Sequence, residues 1–186
     1  MIDQIAVALK PLYVYIACGA LLLLLTLAVL RSRRRGFNEA WAPLLPVIQG
    51  SVKSRGTRST MTGSYHDHPV TASMWRGGAD MPATFAVQIP VAPGGRDWAI
   101  THGSEKMLGP QAWRPFTKDP ALQARLEASK VVEPLQGFPD DMVVQYDGRQ
   151  GMLSVEEQIE APSVDHFKAL LKLLEWLADV NRQLNG

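Results

Sequence analysis

The sequence holds one cysteine, Cys18, and that residue lies inside the longest uncharged run of the chain. An intrachain disulfide is therefore excluded, which is consistent with a reducing compartment. Internal repeats and low-complexity tracts are also missing. The 186 residues leave room for the uncharged run, a linker and one domain of roughly 120 residues.

Basic residues do not predominate after residue 35. Residues 36–186 contain 14 Lys or Arg and 17 Asp or Glu, which gives a net charge of −3 (14 − 17). A nucleic-acid-binding domain normally presents a basic face, so we expect no nucleic-acid partner. The positive charge of the chain is concentrated next to the uncharged run instead.

Signatures of phosphate binding and nucleophilic catalysis are missing as well. The pairs Gly77-Gly78 and Gly94-Gly95 lack the GxGxxG or GxxxxGK[ST] context, which favours turns over phosphate cradles. Ser104 follows His102-Gly103 without the G-x-S-x-G pattern of a nucleophile elbow. The adjacent acids Asp140-Asp141 and Glu156-Glu157 point apart on a strand or loop, so we interpret them as solvated charges.

His66-Asp67-His68 is the arrangement closest to a metal-binding pattern. On one extended strand the two histidines would share a face and form a pair of ligands. In a tight turn they point apart, and the spacing predicts no third ligand from His102 or His166. We expect a solvated turn, no metal and no other cofactor; His66 and His68 remain the candidate ligands if a metal is bound.

The chain does possess one long hydrophobic run, Pro11 to Leu30, which has no charged residue and eight leucines. Twenty helical residues span roughly 30 Å, the thickness of a hydrocarbon core. A cleaved signal peptide would carry its basic cluster before the apolar core, whereas here the cluster follows it. A buried core helix is disfavoured because the run has no polar face. We therefore predict a transmembrane helix.

Four arginines directly follow this run: Arg31, Arg33, Arg34 and Arg35. They are expected to stop the span, to contact anionic head groups and to stay on the inner side of the membrane. This predicts an N-terminus outside and residues 31–186 in the cytoplasm, in the inner membrane of a bacterial cell. Phe37 and Trp41 are candidate markers of the membrane interface.

Small residues cluster in the outer half of the run, at Ala17, Cys18, Gly19 and Ala20. Small residues allow another helix to approach closely, and the sequence has no GxxxG that would indicate a self-dimer. We therefore expect contact with a different membrane subunit. Four tryptophans of the domain leave two roles open, core anchors or partner contacts: Trp75, Trp98, Trp113 and Trp176.

Residues 36–60 are expected to join the span to the domain as a juxtamembrane segment and linker. They include a short apolar patch of Trp41, Leu44, Leu45, Val47 and Ile48. Two interpretations of the patch stay open: it lies on the membrane, or it packs on the domain. The chain thus divides into 1–35 for the tail, span and basic stop, 36–60 for this segment, and 61–186 for the domain.

Alternating apolar and polar residues predict strands in the domain. A first hairpin joins Met61–Tyr65 to Pro69–Trp75 through His66-Asp67, and Phe85–Val91 follows as a third strand. A second hairpin, Met142–Tyr146 with Gly151–Ile159, turns at Asp147-Gly148.

Two helices complete the predicted domain. Asp119-Pro120 begins the first, which Pro134 ends, and Ser163 caps the second. The second helix has a broad apolar stripe: Phe167, Leu170, Leu171, Leu174, Leu177, Ala178 and Leu184. The order strand, strand, strand, helix, strand, strand, helix predicts an α+β fold with an antiparallel sheet and helices on one face.

These features favour a non-catalytic accessory or scaffolding subunit of a larger membrane complex, such as an energy-transducing or transport assembly. Its expected partners are membrane lipids and other membrane-protein subunits. Two alternatives remain: a membrane-tethered binding or sensor module, and a metal-dependent enzyme that uses His66 and His68.

Overall fold

The computed structural model describes residues 2–76, 82–103, 112–159 and 161–185, and their side chains apart from 2–14, 33–34, 76 and 185. The described residues form four α-helices: α1 Ile2–Trp41, α2 Leu45–Ile48, α3 Pro120–Ala128 and α4 Val164–Asn185. A 3-10 turn spans Glu133–Gly137. The Gly77-Gly78 pair and Ser104 lie outside the described residues.

The described strands form one eight-stranded sheet: β1 Ser51–Arg55, β2 Arg58–Tyr65, β3 His68–Arg76, β4 Ala83–Pro90, β5 Trp98–Gly103, β6 Ala112–Thr117, β7 Val143–Asp147 and β8 Met152–Gln158. Their order is β1-β2-β3-β4-β8-β7-β5-β6, and each neighbouring pair is antiparallel. The predicted α+β class is confirmed. Because β4 pairs with β8, the last strand joins the first four strands to the other three.

The register places most of the buried apolar side chains of the strands on one face of the sheet. One row of partners across six strands consists of Met61, Ala72, Val87, Val155, Val144 and Ile100, all buried. The neighbouring row, on the other face, is mostly small or polar: Thr60, Ser73, Ala86, Glu156, Val143 and Thr101. The helix α4 adds its apolar stripe to the same core, including Phe167, Leu170 and Leu174.

Local turn and cap chemistry explains the elements that the sequence predicts. The first hairpin is confirmed: Tyr65 pairs with His68, and the two turn residues have positive φ, 46° at His66 and 68° at Asp67. These are the backbone angles of a two-residue hairpin turn, which His and Asp tolerate better than most residues. The second hairpin is confirmed as well, between β7 and β8.

Asp119 caps α3 as predicted, since its Oδ1 accepts hydrogen bonds from the backbone nitrogens of Ala121 and Leu122. The predicted end at Pro134 is wrong, because α3 ends at Ala128 and Lys130 adopts a positive φ of 54°. Pro134 instead lies in the first turn of the 3-10 segment. A backbone N–H at that position has no partner within the helix, so its absence in proline costs no hydrogen bond. Ser163 Oγ accepts a hydrogen bond from the backbone nitrogen of His166 at the start of α4.

Residues 36–60 do not form a separate linker segment in the structure. The helix α1 continues through residue 36 to Trp41, and 51–55 and 58–65 are strands of the sheet. The apolar patch packs on the domain, since Trp41, Leu44 and Ile48 are fully buried. The expectation that Phe37 and Trp41 mark a membrane interface is wrong, because both side chains belong to the core.

Candidate functional site

The helix α1 is attached to the sheet through its last turns. Phe37 and Trp41, one turn apart, are 6% and 0% exposed. The indole of Trp41 packs against Phe85 of β4, with 5.8 Å between ring centroids. Its Nε1 donates a 2.8 Å hydrogen bond to Ser59 Oγ, which lies 2.7 Å from Ser54 Oγ. A buried donor without its acceptor is costly, so this contact fixes how the helix meets β1 and β2.

The apolar part of α1 extends away from the domain. The segment Tyr15–Trp41 is long and apolar enough to cross a membrane, and its most apolar 18-residue window has a mean hydropathy of 2.0 and no buried residue. Ala17, Gly19 and Ala20 are exposed on this helix, and a Cβ built on Gly19 meets no atom within 4 Å. The side chains of Arg31 and Arg35 are exposed, while those of Arg33 and Arg34 are not described.

Three of the four histidines face a carboxylate on another part of the chain. His66 Nδ1 is 3.0 Å from Glu175 Oε1 of α4, and its ring stacks on Tyr65 at 4.0 Å. His102 Nε2 is 3.5 Å from Asp140 Oδ1. These contacts connect strands and turns to other elements of the domain.

The structure does not bring the candidate ligands His66 and His68 together with a third ligand. His68 is exposed at the start of β3, directly across the turn from Tyr65. In the described part of the chain, no group of three or more His, Cys, Asp or Glu side chains is placed to hold a metal ion.

The third of these histidines, His166, is paired with a buried acid. Glu157 of β8 is 1% exposed, and its Oε1 shares a 2.7 Å hydrogen bond with His166 Nε2 near the start of α4. The other oxygen, Oε2, is buried and has no hydrogen-bond partner among the described residues. Burial raises the pKa of Glu157, the hydrogen bond and charge of His166 oppose that rise, and the charge of Asp141 adds to it.

The interpretation of Glu156-Glu157 as solvated charges is wrong for Glu157, although the two side chains do point apart. Glu157 is on the core face with Leu153 and Val155, while Glu156 is on the other face. The period-2 pattern of β8 contained this signal, because residues 153, 155 and 157 must share a face. The pair can share a proton between a carboxylate and an imidazole.

The tryptophans of the domain divide between core and half-buried positions. Trp98 is 3% exposed and donates a 3.0 Å hydrogen bond to Asn181 Oδ1 of α4. Trp113 and Trp176 are half-buried against the core. Trp75 is half-buried on the other face of the sheet, where the guanidinium carbon of Arg58 lies 5.6 Å from its ring centroid.

A cleft of about 920 Å³ lies where β5, β6 and β7 meet the loops 94–97 and 147–149. Two hydrogen bonds join its walls: Gly94 N donates to the backbone oxygen of Gly148, and Gly148 N donates to the side-chain Oδ1 of Asp97. A Cβ on Gly148 would overlap Gly95 O, so only glycine fits this approach. The cleft is lined by Arg96, Lys118, Arg149 and the ring of Phe116, which is 40% exposed.

The acids around this cleft are engaged by groups of the protein itself. Asp119 caps α3 and pairs with Arg96, and Asp147 accepts from the backbone nitrogen of Gln150. Lys118 and Arg149 have no ion pair with another described residue. The cleft therefore combines a rigid wall, an aromatic surface and two cations that are available to a ligand.

Comparison of the chain with known protein families, with curated proteins and with solved structures returns no match.

Proposed function

We propose that the protein is a single-pass membrane protein that acts as a non-catalytic accessory or scaffolding subunit of a larger membrane complex, of the energy-transducing or transport kind. One observation carries this proposal. The apolar helix α1 runs without a break into the core of the sheet, where Trp41 is 0% exposed. A rigid attachment of this kind holds a domain in a fixed position, which suits a structural part of an assembly better than a freely moving tether.

The flanking charges support an orientation with the domain in the cytoplasm. Arg31, Arg33, Arg34 and Arg35 follow the apolar run, whereas the segment before it holds only Asp3 and Lys10 as charged side chains. Arginines beside a span stay on the inner side, and each contributes about 1 kcal/mol near anionic lipids. The inner membrane of a bacterial cell, with the N-terminus outside, is the location that we propose.

The partner subunit is proposed to contact the small-residue cluster of α1. A Cβ built on Gly19 has no other atom within 4 Å, and Ala17 and Ala20 are exposed beside it. In lipid, small residues on a helix favour close approach of a second helix. Leucines at these positions would block that approach while leaving the fold of the domain unchanged.

Purification in mild detergent tests this function with matched variants. The full-length chain is compared with Gly19→Leu/Ala20→Leu and with Thr26→Leu/Val29→Leu, which adds bulk further along the same helix. We expect partner proteins in fixed stoichiometry with the wild type and the second variant, and their loss from the first. A wild-type chain that migrates alone, or partners that stay with all three chains, would contradict the proposal.

The cleft beside Phe116 favours a second candidate, a membrane-tethered binding or sensor module. Its two cations, Lys118 and Arg149, which form no ion pair with another described residue, point to a small anionic ligand with a flat apolar part. A fluorescent arylsulfonate is a suitable probe for titration of the full-length chain. Binding that is lost in Lys118→Gln/Arg149→Gln but kept in Lys168→Gln/Lys172→Gln on α4 would favour this candidate.

A further inference from the structure

The attachment of α1 also determines which part of the domain is nearest to the membrane. Phe37 and Trp41 are buried in the domain core, so no flexible segment separates the helix from the sheet. Phe37 follows Leu30, the last residue of the uncharged run, by seven positions, which is about 10 Å along a helix. If α1 spans the bilayer, as proposed above, the domain begins directly at the head groups.

The contacts of α1 and α2 show which end of the sheet this is. Trp41 bonds to β2 at Ser59, whereas Ile48 of α2 lies against Gly63, further along the same strand. The residue of α1 therefore contacts the beginning of β2, and the residue of α2 contacts a position nearer to its end. The turn between β1 and β2, Gly56-Thr57, is thus at the end of the sheet from which α1 departs.

The register of the strands shows which turn lies at the end of the sheet opposite to the β1–β2 turn. Arg58 pairs with Trp75, Trp75 with Thr84, and Thr84 with Gln158, so the last residue of β8 is at the same end as the β1–β2 turn. The turn between β7 and β8, which includes Gln150, therefore lies at the far end of the sheet.

Basic residues are concentrated in the stretch of sequence that leads from the span to the β1–β2 turn. Residues 31–58 hold seven Lys or Arg and one acid, Glu39, a net of +6 (7 − 1). Residues 59–186 hold 11 Lys or Arg and 16 Asp or Glu, a net of −5 (11 − 16). The part of the chain that includes α1 after the span, and β1 with its turn, is thus the basic part.

The basic side chains of β1 are available to a partner. Lys53 and Arg55 are exposed and alternate with the half-buried Val52 and Ser54, so they lie on the face of the sheet away from the core. Among the described residues neither forms an ion pair. Arg58 lies over the ring of Trp75 at the same end, and tryptophan is enriched where proteins meet lipid head groups.

We propose that the β1–β2 hairpin, through Lys53 and Arg55, binds the anionic head groups of the inner leaflet beside the span. The inference rests on the transmembrane orientation of α1 proposed above. Basic groups within a Debye length of an anionic membrane are attracted to it. The domain then contacts the membrane through the end of the sheet that holds the β1–β2 turn.

Fluorescence quenching in lipid nanodiscs tests this arrangement on the full-length chain. Single cysteines at Ser32, Thr57 and Gln150, each introduced with Cys18→Ser, carry a fluorophore, and a quencher is attached to the lipid head group. Ser32 reports on the end of the span, Thr57 on the hairpin and Gln150 on the far end of the sheet. The discs contain phosphatidylcholine alone or with phosphatidylglycerol.

We expect quenching at Ser32 and Thr57 and none at Gln150. Quenching at Thr57 should increase with phosphatidylglycerol and be lost in Lys53→Gln/Arg55→Gln, whereas Lys168→Gln/Lys172→Gln leaves it unchanged. Quenching at Ser32 without quenching at Thr57 would overturn the hairpin contact and leave the span intact. Quenching at Thr57 that does not change with lipid charge or in either variant would also overturn the hairpin contact and leave the span intact. No quenching at Ser32 or at Thr57 would overturn the span itself.

Discussion

Trp41 Nε1 donates a 2.8 Å hydrogen bond to the hydroxyl of Ser59, 18 residues further along the chain, and both side chains are fully buried. The bond joins the last turn of a 40-residue helix to the second strand of the sheet. The apolar helix and the domain are therefore one structural unit.

Trp41→Ala should destabilise the domain strongly, because it removes a fully buried aromatic side chain. Substitutions of this kind cost about 3–5 kcal/mol. Thermal unfolding of the full-length chain in detergent micelles, followed by near-ultraviolet circular dichroism, measures the loss. An unchanged unfolding temperature would mean that the helix does not end in the core.

Ser59→Ala tests the hydrogen bond separately from the packing. It leaves the buried Nε1–H of Trp41 without its acceptor, which costs about 1–3 kcal/mol. Ser54→Ala is the control, since Ser54 bonds to Ser59 Oγ and leaves the acceptor of Trp41 in place. Equal unfolding temperatures for the two variants would argue against the buried bond.

Glu157→Gln should change how stability depends on pH. Burial raises the pKa of Glu157 above its ordinary value of 4.5, so the folded chain holds a proton at pH values where the unfolded chain has released it. The free energy of unfolding of the wild type therefore falls as pH rises from about 4.5 through the raised pKa of the folded state. The glutamine variant lacks this decrease, because its amide stays neutral and its oxygen still accepts from His166.

Denaturant unfolding at a series of pH values measures this difference. The stability of Glu157→Gln relative to the wild type should increase with pH across that range. Glu156→Gln, on the opposite face of β8, is the control for the loss of one negative charge. Parallel pH profiles for the wild type and Glu157→Gln would show that Glu157 is not buried as described.

Gly148→Ala should destabilise the domain and disturb the cleft. The added methyl would overlap Gly95 O, so the loops 94–97 and 147–149 must separate. Overpacking of this kind costs about 1–3 kcal/mol. Gly137→Ala is the matched control, because a Cβ there meets no atom within 4 Å. Thermal unfolding of both variants is the measurement, and equal losses would contradict the close approach.

His66→Asn and His68→Ala should have little effect on stability, since asparagine accepts the positive φ of residue 66. His66 is 66% exposed in its contact with Glu175, and exposed ion pairs contribute about 0–1 kcal/mol. We also predict that the purified chain carries no metal bound through these residues. Elemental analysis by mass spectrometry checks this, and a stoichiometric metal that disappears in His68→Ala would restore the enzyme alternative.

Local signals in the sequence were sufficient for several elements. The His66-Asp67 turn depends on residues that accept positive φ, and the start of α3 depends on the carboxylate of Asp119. Such features involve neighbouring residues only. The alternation of β4 and the apolar stripe of α4 also predict elements correctly, because each buries one face in the same core.

The edge strands could not be read from the sequence for a physical reason. The strands β1 and β6 lie at the two edges of the sheet, where a strand needs fewer apolar residues and tolerates proline. Accordingly β1 reads SVKSR, and β6 contains Pro115. Their place in the sheet depends on pairing partners that the local pattern does not reveal.

The roles of Trp41 and Glu157 depend on contacts that are distant in sequence. An aromatic residue after an apolar run is typical of a membrane interface, and only the fold shows that Trp41 reaches Phe85 and Ser59. The Glu157–His166 pair forms across a strand and a helix. The alternation of β8 places Glu157 on the core face, but no local pattern identifies His166 as its partner.

Membrane extraction of the full-length chain tests the central claim most directly, namely that α1 crosses a bilayer and carries the domain with it. Membranes from cells that produce the protein are washed with alkaline carbonate, sedimented, and then dissolved in detergent. We predict that the intact chain stays in the sediment after the wash and enters solution only with detergent. Intact chain in the supernatant of the carbonate wash would contradict the account.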